Sequence, residues 1–166
     1  MNPLIPRFEG DLKLARVPDD FGVRLRKRVE EGLFKPGKRA RANYSVRSAG
    51  PDEISFGADD FLTACNVGLN EVTVRRIGPT SVHYRATFWR WTWFAVAQGA
   101  VLGAILLVCA FTIPTARRQI AAYSYGPFLF GSLVVFFCFL WPWILTAIHR
   151  RFAEKALRRI LGEVLS

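Results

Sequence analysis

The residues with the chemistry to act on a substrate are few and scattered. His83 has the proton-transfer chemistry of a general base, but no nucleophile stands at a related spacing, so it reads as a histidine on the polar face of a strand. The three cysteines, Cys65, Cys109 and Cys138, form no CxxC or Cys/His ligand pattern, which points away from a disulfide framework and from a zinc site. Cys65 has no nucleophile context and is expected to be buried. Asp59 and Asp60 offer two carboxylates to a cation, yet adjacent acids in a turn are ordinarily solvated. A phosphate-binding glycine loop, a dinucleotide fingerprint, GxSxG and HExxH are all absent from the sequence. The chain therefore reads as non-enzymatic, with no metal or cofactor expected. An enzyme acting on a membrane substrate through His83, Asp59 or Asp60 is the weakest reading.

The one strong charged constellation is basic. Arg24, Arg26, Lys27, Arg28, Lys35, Lys38, Arg39 and Arg41 face only Glu30 and Glu31 over the same stretch. Such a run suits anionic lipid headgroups or an acidic partner. Single-stranded nucleic acid would want aromatic rings interleaved with the cations, and only Phe34 and Tyr44 come near.

The elements that must carry these residues fall into two unlike parts. Of 36 charged side chains in 166 residues, 27 lie in residues 1–90 and only Arg117 and Arg118 in residues 91–148. A mean hydropathy of +0.19 averages over that contrast. A soluble globule does not segregate charge this way, and a helix needs about 20 apolar residues to cross the hydrocarbon core. Arg90 and Arg117 bracket 26 uncharged residues, and Arg118 and Arg150 bracket 31 with no acid, lysine or arginine. Spans are expected at about 92–113 and 128–148. Both are helical, because lipid offers no partner to a free N–H or C=O. Pro114 and Pro127 suit helix ends, and the short connection makes the helices antiparallel neighbours. Pro142 has no N–H to donate to Cys138 O and predicts a kink.

The flanks give an orientation. Arg75, Arg76, Arg85 and Arg90 precede the first span and Arg150, Arg151, Lys155, Arg158 and Arg159 follow the second, against two arginines between the spans. That asymmetry predicts both termini in the cytoplasm of a bacterial-type inner membrane. Trp89, Trp91, Trp93, Trp141 and Trp143 all fall at one end of the hairpin, as anchors at the headgroup level. Ala95, Gly99 and Gly103 repeat every four residues and admit a close-packed helix. The motif alone leaves open whether that partner is the second span or a helix of another subunit. No ionisable group lies at mid-span depth, which argues against an ion path or a transport site.

Before the spans, residues 1–18 carry Pro3, Pro6 and Pro18 and read as an extended lead-in. Phe21, Leu25, Val29 and Leu33 make one helical stripe, closed by Lys35-Pro36-Gly37. Period-two alternation then runs through Tyr44–Val46, Ile54–Phe56, Val72–Val74 and Val82–Phe88, giving four or five antiparallel strands in residues 19–90. One helix on such a sheet leaves a thin core. Residues 149–166 form a basic amphipathic helix, with Phe152, Leu157, Ile160, Leu161, Val164 and Leu165 on one side. The headgroup plane is slightly favoured for it over the sheet or a partner.

The fold class expected is thus α+β. A small cytoplasmic antiparallel sheet with one packing helix comes first, then a two-helix transmembrane hairpin, then the basic C-terminal helix. The function expected is an accessory or scaffolding subunit of a larger membrane complex. It would pack through Ala95, Gly99 and Gly103 and hold anionic lipid or neighbouring subunits with its basic residues. A membrane-tethered domain binding a lipid or another small apolar ligand is the alternative.

Overall fold

The computed structural model describes residues 5–34, 44–61, 63 and 68–166. They form two compact units, one of residues 5–91 with 148–166 and one of residues 92–147.

The first unit is built on five antiparallel strands: β1 (Arg7–Lys13), β2 (Tyr44–Ala49), β3 (Glu53–Ala58), β4 (Glu71–Gly78) and β5 (Ser81–Thr87). Their order in the sheet is β1-β5-β4-β3-β2, a meander with the first strand laid along its last. Alternation sends Ile54, Phe56, Val72, Val74, Val82, Tyr84 and Ala86 to one face, where all are fully buried. The other face is polar, with Glu9, Asp11, Thr73, Arg75, His83 and Arg85 in the alternate positions. It therefore needs no apolar cover.

Helix α1 (Phe21–Gly32) lies over β2 and β3, burying Phe21, Leu25 and Val29. It ends at Gly32, whose φ of 116° turns the chain out of the helix. The terminator read at Lys35-Pro36-Gly37 lies outside the described residues.

The lead-in expected over residues 1–18 is corrected by β1. Arg7–Lys13 pairs along the whole of β5, from Arg7 against Thr87 to Lys13 against Ser81. Pro6 and Pro18 flank this strand without entering it, so no ladder donor is lost.

The C-terminal helix is corrected as well. Five strands at about 4.8 Å spacing are wider than one helix of about 10 Å can cover. The apolar stripe of residues 153–165 fills the rest: Ala153, Leu157, Ile160, Leu161 and Leu165 belong to the same core as Phe8, Tyr84 and Phe88. The preference for the headgroup plane fails because the sheet offers that stripe a complementary dry face. The core is accordingly thicker than one helix would make it.

A polar clamp fixes this helix to the sheet. Tyr84 reaches over Gly10, its partner on β1. A Cβ at residue 10 would stand 2.6 Å from the Tyr84 hydroxyl, so only glycine admits the ring. Arg158 Nε donates to that hydroxyl, and Arg158 also pairs with Glu154 at 3.1 Å. Between the two covering helices, Arg28 pairs with Glu163 at 3.5 Å.

The second unit is helical. α2 (Trp89–Thr112) supplies its first long helix. The connection holds a short helix, α3 (Pro114–Ala121), with Pro114 in its first turn. α4 (Gly126–Val135) runs through one π turn (Phe136–Leu140) into α5 (Trp141–Leu165) without a break, so the second long helix and the C-terminal helix are one element. The π turn is the structural answer to Pro142. Trp141 N–H bonds back to Phe136 O, and Pro142, the next residue, has no N–H of its own to donate. Among the described residues two helices are long and apolar enough to cross a membrane, and only 17% and 6% of their apolar stretches are buried.

Candidate functional site

The small-residue face of α2 is closely packed. Ala95, Gly99 and Gly103 are its buried residues. A Cβ on Gly99 would stand 2.5 Å from Phe137 O and 2.7 Å from Pro142 Cγ, and one on Gly103 would meet Cys138 Sγ. The glycine face thus lies on the π turn of the second helix, against Phe137 O and the Pro142 ring. Of the two partners the motif left open, the helix of the same chain occupies it.

What remains outward on these helices is bulky and apolar. Phe111 is 79% exposed, Phe128 76% and Phe139 72%. Cys109 and Cys138 are free and half-buried. Thr112 Oγ1 returns its proton to Val108 O, which satisfies the hydroxyl within the helix.

The five tryptophans separate. Trp89, Trp93 and Trp143 are exposed. Trp91 is half-buried and stacks on His149 at 4.2 Å, with Phe88 on the same imidazole at 5.9 Å. Trp141 packs on Phe136 and Phe137. Trp91 and Trp141 are therefore packing residues of their own units, a role that span-end position alone does not reveal. The start of α2 is capped from the sheet, where Asn70 Oδ1 accepts from Arg90 N–H at 3.1 Å.

The basic residues separate too. On α1, Arg24 pairs with Asp20 at 3.0 Å, Arg26 with Glu30 at 3.8 Å, Lys27 with Glu31 at 3.9 Å and Arg28 with Glu163. Each exposed pair of this kind contributes about 0.3–0.5 kcal/mol, and together the pairs offset most of the charge of the helix, with Glu163 shared between Arg28 and Arg159. Arg159 is held by Glu163 at 2.9 Å, and Arg158 is taken up by the Tyr84 clamp. Of the basic residues after the second long apolar stretch, Arg150, Arg151 and Lys155 enter no ion pair among the described residues, which leaves them open to an external anion. Lys35, Lys38, Arg39, Arg41 and Cys65 lie outside the described residues.

No family model, curated protein or solved structure matches the chain. Its chemistry is therefore read from the geometry alone.

His83 has a partner that sequence reasoning missed. Its Nδ1 lies 2.7 Å from Asp11 Oδ1 across the β1–β5 ladder. The two are 72 residues apart, so only the strand register brings them together. Beside them Arg85 Nε donates to Glu9 Oε2 at 3.1 Å. No hydroxyl or thiol nucleophile joins the Asp11–His83 pair in these contacts, and the pair is solvent-accessible. Asp59 and Asp60 do not act together. Asp59 accepts from Ser45 and pairs with Arg47 at 3.4 Å, whereas Asp60 takes the N–H and hydroxyl of Thr63. No cluster of three or more His, Cys, Asp or Glu able to hold a metal occurs among the described residues.

Burial pushes the phenols of Tyr44 and Tyr84 above their usual value, and the neighbouring Arg158 opposes the rise at Tyr84. Both tyrosines therefore serve as neutral core groups.

Proposed function

We propose that this chain is a two-span protein of a bacterial-type inner membrane, with both termini in the cytoplasm, and that it acts as a non-catalytic accessory or scaffolding subunit of a larger membrane assembly. The observation that carries the reading is the nearly bare apolar surface of the two long helices. In water such a surface drives aggregation, and in lipid or against other apolar helices it is at equilibrium. The excess of arginine and lysine at the outer ends of the hairpin supports the cytoplasmic placement of the termini.

The glycine face is occupied within the chain, so contacts to neighbouring subunits fall to the bulky outward residues such as Phe111, Phe128 and Phe139. Arg150, Arg151 and Lys155, free of internal carboxylates, are the residues for anionic headgroups. The alternative of an apolar ligand held between sheet and helices loses support from the filled core, where Phe21, Leu25, Ile54, Phe56, Leu157 and Leu161 occupy that space.

Two measurements on the natively expressed protein test the reading. It should stay with membranes through a carbonate wash, and in mild detergent it should elute with other subunits at a size above its 18.8 kDa chain. Release by carbonate would refute the membrane placement. A lone monomer on sizing would refute the scaffold role while leaving the placement intact.

A further inference from the structure

The polar face of the sheet is not a uniform solvated surface. Glu53, Thr73, Arg75, His83 and Arg85 surround a recess of about 300 Å³. Strand register assembles it. Asp11, His83, Arg75 and Glu53 form one row across four strands, and Glu9, Arg85 and Thr73 form the adjacent row.

Two of the donors are held from β1. Asp11 engages His83 at Nδ1, leaving Nε2 as the ring's other polar atom. Glu9 engages Arg85 at Nε and leaves that guanidinium's terminal nitrogens outside the contact. Arg75 behaves differently. Glu53 stands directly opposite it on β3, and opposite charges in such a position attract, yet among the described residues the two form no ion pair. Both line the recess instead.

We propose that this recess binds a phosphate monoester whose substituent carries a hydrogen-bond donor. Two guanidiniums and the Thr73 hydroxyl offer more donors than the two oxygens of a carboxylate can accept. The three terminal oxygens of a phosphate monoester take them up. Glu53 is an acceptor only when ionised and would repel a bare phosphate, so it takes the donor of the substituent, an ammonium or a hydroxyl. The volume suits a small ester of that kind. Every residue involved belongs to the α+β unit, so the site stands whether or not the scaffold role does.

The test uses the full chain in phosphate-free maltoside detergent, titrated calorimetrically with phosphoethanolamine and with inorganic phosphate. Saturable binding is expected, tighter for phosphoethanolamine. Arg75→Gln and Arg85→Gln should each weaken it roughly tenfold or more, the worth of a hydrogen bond to a charged group. Glu53→Gln should remove the preference for phosphoethanolamine over inorganic phosphate. No saturable binding of either probe at millimolar concentration would overturn the proposal. So would binding that both arginine variants retain while their circular dichroism matches the parent. Repeating the titration in nanodiscs separates two sources of the ester. Weaker binding of the soluble probe in discs containing lysophosphatidic acid, a monoester lipid whose glycerol keeps a free hydroxyl, than in discs of phosphatidylcholine alone assigns the site to a lipid headgroup, and equal binding assigns it to a soluble ester.

Discussion

Replacing Leu161 by alanine separates a helix that belongs to the sheet from one that belongs to the bilayer. Leu161 is fully buried in the core that also holds Phe8, Tyr84 and Leu157. The substitution removes three buried carbons, which at about 0.8 kcal/mol each costs about 2.4 kcal/mol in transfer alone. The space left behind adds to that, and leucine-to-alanine changes in packed cores reach about 5 kcal/mol. Amide hydrogen exchange on the detergent-solubilised protein reads the loss. The slowest amides of β5, an interior strand of the sheet paired on both sides, should exchange through global opening. Their protection should fall between about 60-fold and about 5,000-fold, the same energies expressed as equilibrium constants. A helix resting in headgroups would give another result: β5 protection unchanged, with only helix amides losing protection and only when anionic lipid is withdrawn. That outcome would refute the packing of residues 153–165 on the sheet.

Two further substitutions probe other joints. Gly99→Val places a side chain where Phe137 O and Pro142 already stand at 2.5 and 2.7 Å, so the two long helices must separate; a cysteine crosslink between outward positions of the two helices should then form more slowly than in the parent. Tyr84→Phe removes the hydroxyl that receives Arg158 Nε and should lower stability by about 1 kcal/mol in urea unfolding. Because burial raises the Tyr44 and Tyr84 phenols in the folded state, unfolded tyrosines ionise first, and stability should fall as pH rises above about 10; Tyr44→Phe should reduce that alkaline loss.

Much of the fold was legible because its signals are local. The alternation through residues 44–46, 54–56, 72–74 and 82–88 lies within β2 to β5 and their immediate ends, since side chains on a half-buried strand must alternate whatever surrounds them. β1 escaped notice because its inward positions are Phe8, Gly10 and Leu12. The glycine that blanks the pattern is there for the Tyr84 ring, a demand made 74 residues away. The stripe of residues 153–165 was visible, but a 3.6-residue period states only that one face avoids water. It does not distinguish lipid from a sheet. The recess was invisible for the same reason as the Asp11–His83 contact, since strand order lies beyond the reach of spacing. Charge counting also overstated α1, because pairs such as Arg28–Glu163 form only after the chain has folded.

The helical unit interrupts the α+β unit in the chain, with consequences for biosynthesis. A ribosome completes all five strands and α1 before the hairpin, and releases residues 153–165 only after it. Until then the inner sheet face around Phe8 and Tyr84 lacks the cover of residues 153–165. The nascent domain must wait, incomplete and sticky, while its own hydrophobic hairpin is delivered. Its maturation clock is therefore set by the synthesis of the intervening helices, and a chain that stalls there is left with an open core for quality-control proteases to find.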